Sequence, residues 1–178
     1  MEGTMSVANQ PDNMNFLSPL GFRFTMSKMP NIMYFVQSFD FPELSLNNTN
    51  DVQTPFNKII IPGDHVTFGR FSITFKIDED MKDYFEIYDW IIATGFPENF
   101  DQYKKIAQNP QTSGRGVIVD AYLLILSSTM RPNIKITFND VIPVSLSGFK
   151  FDSTATDVNY VTATAEFKYR QYKYERLT

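Results

Sequence analysis

Apolar and polar residues alternate along most of this chain with a two-residue period, and each alternating run predicts a strand. Phe22, Phe24 and Met26 share one face of the first run. Met29-Pro30-Asn31 reads as a turn. The aromatic-rich residues 33–41 read as a second strand that stops at Pro42. Leu44 and Leu46 alternate with Ser45 and lead into a polar stretch, residues 47–54, with loop chemistry. Lys58-Ile59-Ile60-Ile61 is a short strand halted by the turn Pro62-Gly63-Asp64. Val66 and Phe68 then hold one parity, and Phe71, Ile73, Phe75 and Ile77 the other. The switch at Gly69-Arg70 has the look of a β-bulge.

One segment changes period. Met81, Tyr84, Phe85, Tyr88, Ile91 and Ile92 recur at three- and four-residue steps, which predicts an amphipathic helix over about residues 80–94 with that stripe buried. Asp80 suits the N-cap and Asp83 the N3 position; Gly95 and Pro97 end the helix. Residues 98–116 form a long polar connection. Residues 117–126 read as a buried strand interrupted by Asp120. Pro132 starts another, with Ile134, Ile136 and Phe138 on one face. Asn139-Asp140 and Pro143 mark a turn, and residues 144–151 form a short strand. In the last strand Val161, Ala163, Ala165, Phe167 and Tyr169 point inward, and the parity shifts at Arg170-Gln171 to Tyr172 and Tyr174, a bulge or bend. The pattern predicts a mostly β chain, with a flexible arm at residues 1–15 and one domain over residues 16–178.

Composition sharpens this. The 178 residues include 17 Phe and 9 Tyr, types that favour pleated, half-buried surfaces and large contact areas. Net charge is −4, which argues against a phosphate-binding basic face and fits equally a protein past which DNA must slide and an ordinary soluble protein. With no cysteine there is no disulfide, thiolate nucleophile or Cys-ligated zinc. Residues 1–11 are polar, so no signal peptide is expected, and no run reaches the length of a membrane span.

Candidate chemistry is sparse. His65, the single histidine, follows a turn and has no second histidine with which to hold a metal. Asp78-Glu79-Asp80 could attract a cation, but helix N-terminal chemistry accounts for all three. Gly114-Arg115-Gly116 is too short for a phosphate loop. Asn47-Asn48-Thr49 matches a glycosylation sequon, without a secretory signal to give it meaning. Trp90 reads as core. Tyr169, Tyr172 and Tyr174, interleaved with Lys168, Arg170 and Lys173, resemble a nucleic-acid platform, and equally a strand with aromatics on one face and charges on the other. No catalytic, cofactor-binding or metal-ligating residue is expected. An aromatic-rich β protein of this kind uses its sheet faces, edges and loops for assembly.

Several segments are similar to tail tube proteins of contractile-tailed bacteriophages. They are residues 29–38 (MPNIMYFVQS), the Ile61-Pro62-Gly63-Asp64 turn, residues 71–80 (FSITFKIDED) running on through Tyr84 to Phe96-Pro97-Glu98, residues 132–138 (PNIKITF), Leu146-Ser147-Gly148, and the close at Tyr174-Glu175. The resemblance spans about residues 16–175. It implies a small antiparallel β-barrel or sandwich with one flanking helix. It further implies homohexameric rings stacked into a tube, a surrounding sheath, a baseplate, and DNA passing through the lumen without sequence-specific binding. It implies no enzyme activity, no cofactor and no membrane anchor, and a location in the virion after assembly in the host cytoplasm. A tube-initiating baseplate or hub protein of the same fold is a second reading, and a β-sandwich binding module a third.

Overall fold

The computed structural model describes residues 15–47, 50–53, 55–61, 63–95, 101, 104, 117–154 and 160–177. The expected arm, apart from Asn15, and the connection at 98–116, apart from Asp101 and Lys104, lie outside the described residues. The elements run β1 (Phe22–Met26), α1 (Ile32–Phe35), β2 (Val36–Asp40), β3 (Leu44–Asn47), β4 (Asn50–Gln53), β5 (Lys58–Ile61), β6 (His65–Phe68), β7 (Phe71–Lys76), α2 (Lys82–Gly95), β8 (Val119–Leu126), β9 (Pro132–Leu146), β10 (Thr162–Lys168) and β11 (Gln171–Arg176). The chain is mostly β, with antiparallel pairing throughout the described ladders.

Two layers share one strand. The first layer has the order β1-β8-β9-β11, and the second runs β2-β7-β10-β9. β9 serves both: its first part pairs with β8 and β11, and its last residues pair with β10. Strands β1 and β2 lie at the two ends of the strand order and do not pair. The expected barrel is therefore left open along that seam, and the fold is sandwich-like. The layers meet through alternate residues, as the period-2 pattern requires. Phe24, Met26, Ala121, Leu123, Ile136 and Phe138 from one side face Phe71, Ile73, Phe75, Ala163, Ala165 and Phe167 from the other, all buried. Phe71 is the hub of the aromatic packing, with ring centroids 4.8 Å from Phe138, 5.1 Å from Phe167 and 5.3 Å from Phe39. Each such ring contributes roughly 1.5–3 kcal/mol on burial.

β9 bends where its sequence reads as a turn. Asp140 sits at φ 57, a left-handed conformation that Asp tolerates better than most residues. Its N–H donates to Asp120 Oδ1 at 3.1 Å, and its Oδ2 lies 2.9 Å from Arg170 Nε. On the neighbouring strand the break at Arg170 separates β10 from β11, and Arg170 N–H donates to the Asn139 carbonyl at 3.0 Å. Both strands change parity at this level, from Phe138 to Val141 and from Tyr169 to Tyr172. The two irregularities face each other and bend together. The turn expected at Asn139-Asp140 and Pro143 is thus a corner inside one long strand, and the bend expected at Arg170-Gln171 is present.

Three other elements depart from the sequence reading. Residues 32–35 form the short helix α1 where a strand from residue 33 is expected; the strand begins at Val36. Residues 50–53, expected as loop, form β4. The parity switch at Gly69-Arg70 is no bulge. It is the point where the chain leaves β6 for the body of the fold. Among the described residues β3 pairs only with β6 and β4 only with β5, nested ladders of one hairpin that join neither layer. At its root Gly69 N–H donates to the Glu43 carbonyl at 2.9 Å. A Cβ on Gly69 would stand 2.8 Å from Glu43 Cγ and 3.2 Å from its carbonyl oxygen, so the close approach requires glycine.

Helix α2 closes one side of the sandwich with a different face from the expected one. Asp83, Ile87, Trp90 and Ala93 are buried, whereas Phe85 and Tyr88 are each 47% exposed. The helix begins at Lys82, and its Asp83 carboxylate accepts the N–H of Asp78 at 3.3 Å and of Tyr84 at 2.8 Å. Asp80 instead pairs with Lys82 at the surface, so the buried capping role belongs to Asp83. Burial raises the Asp83 pKa above the usual carboxylate range, against the backbone N–H donors.

Candidate assembly surfaces

The described residues carry no cluster of three or more His, Cys, Asp or Glu able to hold a metal. What the molecule presents is surface for assembly. The first layer ends in two free edges, because among the described residues β1 pairs only with β8 and β11 only with β9. An unpaired edge is a row of backbone donors and acceptors ready for another strand. On the face of this layer turned away from the core, Arg23, Leu124, Lys135 and Glu175 stand in register across the four strands, as do Thr25, Tyr122, Thr137 and Lys173. Lys135 Nζ lies 4.8 Å from the centre of the Tyr122 ring. The wall is mostly polar, with long charged side chains beside threonines and one aromatic, Tyr122, under a lysine.

The hairpin is the second surface. Leu44, Leu46 and Val66 are about half exposed on it, and Phe56 near its turn is 94% exposed. Where the hairpin meets the body, Phe68 packs on Tyr169 and Tyr172 at 6.0 and 5.5 Å. His65 lies on β6 with its side chain 82% exposed and 3.7 Å from Asp64 Oδ1, outside any constellation.

Two apolar clefts open at the surface. One, about 420 Å³, lies along the unclosed seam, with Phe22, Phe39, Phe41 and Ile125 among its walls. The other, about 690 Å³, lies beside the β7–α2 connection, between Phe35, Asp78, Glu79, Phe149, Phe151 and Tyr160. Asp78 and Glu79, read in the sequence as helix-terminal carboxylates, thus also form part of a cleft wall. Only the placement of Phe149, Phe151 and Tyr160 opposite them reveals it; no local motif signals it.

The remaining sequence candidates resolve plainly. Trp90 is fully buried, and its Nε1–H donates to the Val117 carbonyl at 2.7 Å. The tyrosine-rich end is no stacking platform: Tyr169 is buried against Phe138 at 5.1 Å, Tyr172 is half-buried, and only Tyr174 is free in solvent. Gly114-Arg115-Gly116 and the sequon residues Asn48 and Thr49 lie outside the described residues. Asp120 escapes sequence reasoning. It looks like an interruption in an apolar strand, and it holds the β9 corner.

No protein-family model matches the chain, and no curated protein matches it. Solved structures do match in shape. The tube-terminating cap of the anti-feeding prophage aligns with a TM-score of 0.64 at 10% identity, over 97% of this chain and 99% of that one. A chain of the sheath–tube complex of the PVC extracellular contractile injection system, in its extended state, aligns with a TM-score of 0.61 at 13% identity, over 96% and 95%. The sheath/tube terminator of the same system aligns at 0.56 and 12% identity, over 92% and 99%. With an open two-layer antiparallel sheet, a flanking helix, a standing hairpin and near end-to-end alignment with these structures, the chain has the fold of the tail-tube proteins of contractile injection systems.

Proposed function

We propose that the protein is a structural subunit of the inner tube of a contractile tail, forming homohexameric rings that stack around a lumen. The observation that carries this reading is the pair of free edges, β1 and β11, on a four-stranded layer whose other face is already packed. Such a layer extends on both sides by antiparallel addition of β1 of one copy to β11 of the next. Because sheets twist and curl, repeated addition closes on itself, and closure removes the edges. The second layer has no such pair of ends, since β9 at one side already belongs to the first. In the closed ring the face bearing Arg23, Lys135, Lys173 and Glu175 lines the lumen.

DNA is the cargo in this reading. These rows carry three cations against one anion, a net of +2 (3 − 1), so transit of polyphosphate is sensitive to salt. The protein has no enzymatic role, and its partners are further copies of itself, the sheath and the baseplate. It assembles in the host cytoplasm and resides in the tail. The domain spans residues 16–178, with an N-terminal arm before it; at least one of the arm, residues 47–54 and residues 98–116 touches the adjacent ring.

A second reading is a terminal ring, at the initiating or the capping end. It is favoured by the alignment with the anti-feeding prophage cap over 97% of the chain. Native mass spectrometry and negative-stain imaging of the purified protein test the proposal together. A sixfold mass and rings with a central hole that stack into tubes fit the tube subunit. Rings that never stack fit the terminal ring. A monomer at high concentration contradicts both.

A further inference from the structure

Alternate residues of β11 face the core side of the first layer. Tyr172 is one of them and is packed there, its ring centroid 5.4 Å from Phe41, 5.5 Å from Phe68 and 5.8 Å from Phe138. Tyr174, two residues on, shares that parity and pairs with Ile136 on β9. Its own copy nevertheless leaves it 71% exposed. A large aromatic on the core side of a strand ordinarily finds cover within its fold.

At the opposite end of the same layer stands an apolar cleft. The seam between β1 and β2 opens into about 420 Å³, with Phe22, Leu123, Ile125 and Ile136 of the first layer on one side and Phe39 and Phe41 on the other. An uncovered ring and an apolar cleft are therefore held at the two edges of one four-stranded layer.

Strand addition brings those edges together. This step rests on the ring reading, in which β11 of one copy adds antiparallel to β1 of the next. Side chains directly opposite one another on antiparallel strands point to the same face, so the outcome does not depend on the exact register. Any pairing that keeps Arg23, Thr25, Lys173 and Glu175 on the lumen face sets Tyr172, Tyr174 and Arg176 on the core face, beside Phe22, Phe24 and Met26. Tyr172 is already packed in its own copy and Arg176 is charged, which leaves Tyr174 as the ring that crosses the joint. We infer that Tyr174 of one copy seats in the seam cleft of the next copy around the ring. The phenol suits the site: its apolar body meets Phe22, Phe39 and Phe41, and its hydroxyl can reach water or the Ser18 hydroxyl on the cleft wall. Main-chain bonds join any two strand edges, whereas a side chain in a pocket selects the partner.

The full-length protein carrying Tyr174→p-azidophenylalanine, which keeps an aromatic ring at the position, is assembled and irradiated. A denaturing gel should show covalent oligomers up to six copies, and mass spectrometry should join position 174 to residues 17–22 or 39–41. Cross-links confined to the monomer band, cross-links to other segments, or none from preparations in which rings are visible by electron microscopy overturn the inference and leave the ring reading intact. Failure of the unmodified protein to form rings overturns the ring reading and the inference with it. As a second arm, Tyr174→Ser should raise the concentration at which rings half-dissociate about ten-fold or more, as expected on losing an interface anchor, while Tyr174→Phe stays near the unmodified protein. Thermal unfolding of the separated subunits should be unchanged in both, because the ring is exposed there. Rings from Tyr174→Ser that persist to the same dilution as those of the unmodified protein overturn the inference.

Discussion

The ammonium of Lys28 is buried with no hydrogen-bond partner among the described residues, and it lies 4.5 Å from the centre of the Trp90 ring. Desolvation pulls its pKa from 10.5 down to about 8. Tyr169 is the counterpart: burial, with a smaller contribution from Tyr172, pushes its hydroxyl from 10.0 up to about 12, and that hydroxyl too is unpartnered among the described residues. Between pH 8 and 10.5 the unfolded chain binds the Lys28 proton more tightly than the folded one, so stability rises with pH. Between pH 10 and 12 the folded state retains the Tyr169 proton and the unfolded state releases it, so stability falls. Unfolding free energy should therefore peak near pH 10. The Lys28 limb is worth about 1–2 kcal/mol once solvent screening of a half-buried side chain is allowed for. Urea titrations at stepped pH should show the rising limb vanish in Lys28→Met and the falling limb vanish in Tyr169→Phe. A flat profile in the unmodified protein contradicts the assignment.

Asp140 gives a second residue-scale prediction. Asp140→Gly relieves the left-handed backbone but loses the Arg170 pair, and should change stability by less than about 1 kcal/mol. Asp140→Val sets a β-branched side chain at φ 57 and removes the carboxylate that pairs with Arg170, while the backbone N–H to Asp120 is retained; it should cost roughly 2–4 kcal/mol. Equal losses in thermal unfolding would mean that the corner does not depend on this conformation.

At the scale of elements, the helix shows where pattern reading works and where it slips. The three- and four-residue period locates α2 almost to its ends. Its phase is ambiguous, because Phe85, Ile87, Tyr88, Trp90, Ile91 and Ile92 crowd apolar residues around most of the circumference. The stripe centred on Tyr84, Phe85 and Tyr88 looks the more apolar, since the competing one contains Asp83. Only the folded chain shows that Asp83 is accommodated by the N–H of Asp78. Ile87→Ala and Trp90→Ala should each cost roughly 2–5 kcal/mol, and Phe85→Ala and Tyr88→Ala less than about 1 kcal/mol. Chemical denaturation of the four variants checks this directly; the reverse order would restore the sequence-based stripe.

The strands divide the same way. Alternation identifies β1, β7 and β10 and their inward residues, because a half-buried sheet enforces that period locally, while β8 is legible only as a buried apolar run. It misreads β9, since Asn139-Asp140 has turn chemistry and the matching break at Arg170 that turns it into a corner lies on another strand. It misses β4, whose polar residues pair in a hairpin that stands away from the core. Of the assembly surfaces, the exposed aromatics are visible in composition. The free edges and the cleft arise from long-range pairing that no local pattern carries.

For the whole molecule, the open seam, the free β1 and β11 edges and the standing hairpin leave more unsatisfied surface than a lone domain ordinarily keeps, as the proposed subunit requires. Gly69→Ala belongs to this scale. Crowding at Glu43 should tilt the hairpin root and impair stacking while leaving the two layers folded, readable as normal circular dichroism with shortened assemblies. In the proposed ring, β1 of one copy joins β11 of the next. A cryo-EM reconstruction of the assembled protein, at a resolution that separates strands, tests it most directly. The expected map shows a sixfold ring with one uninterrupted β-wall around the lumen, residues 22–26 of each copy paired antiparallel with residues 171–176 of its neighbour. A ring in which either edge faces solvent, or in which the lumen is lined by α2, would contradict it.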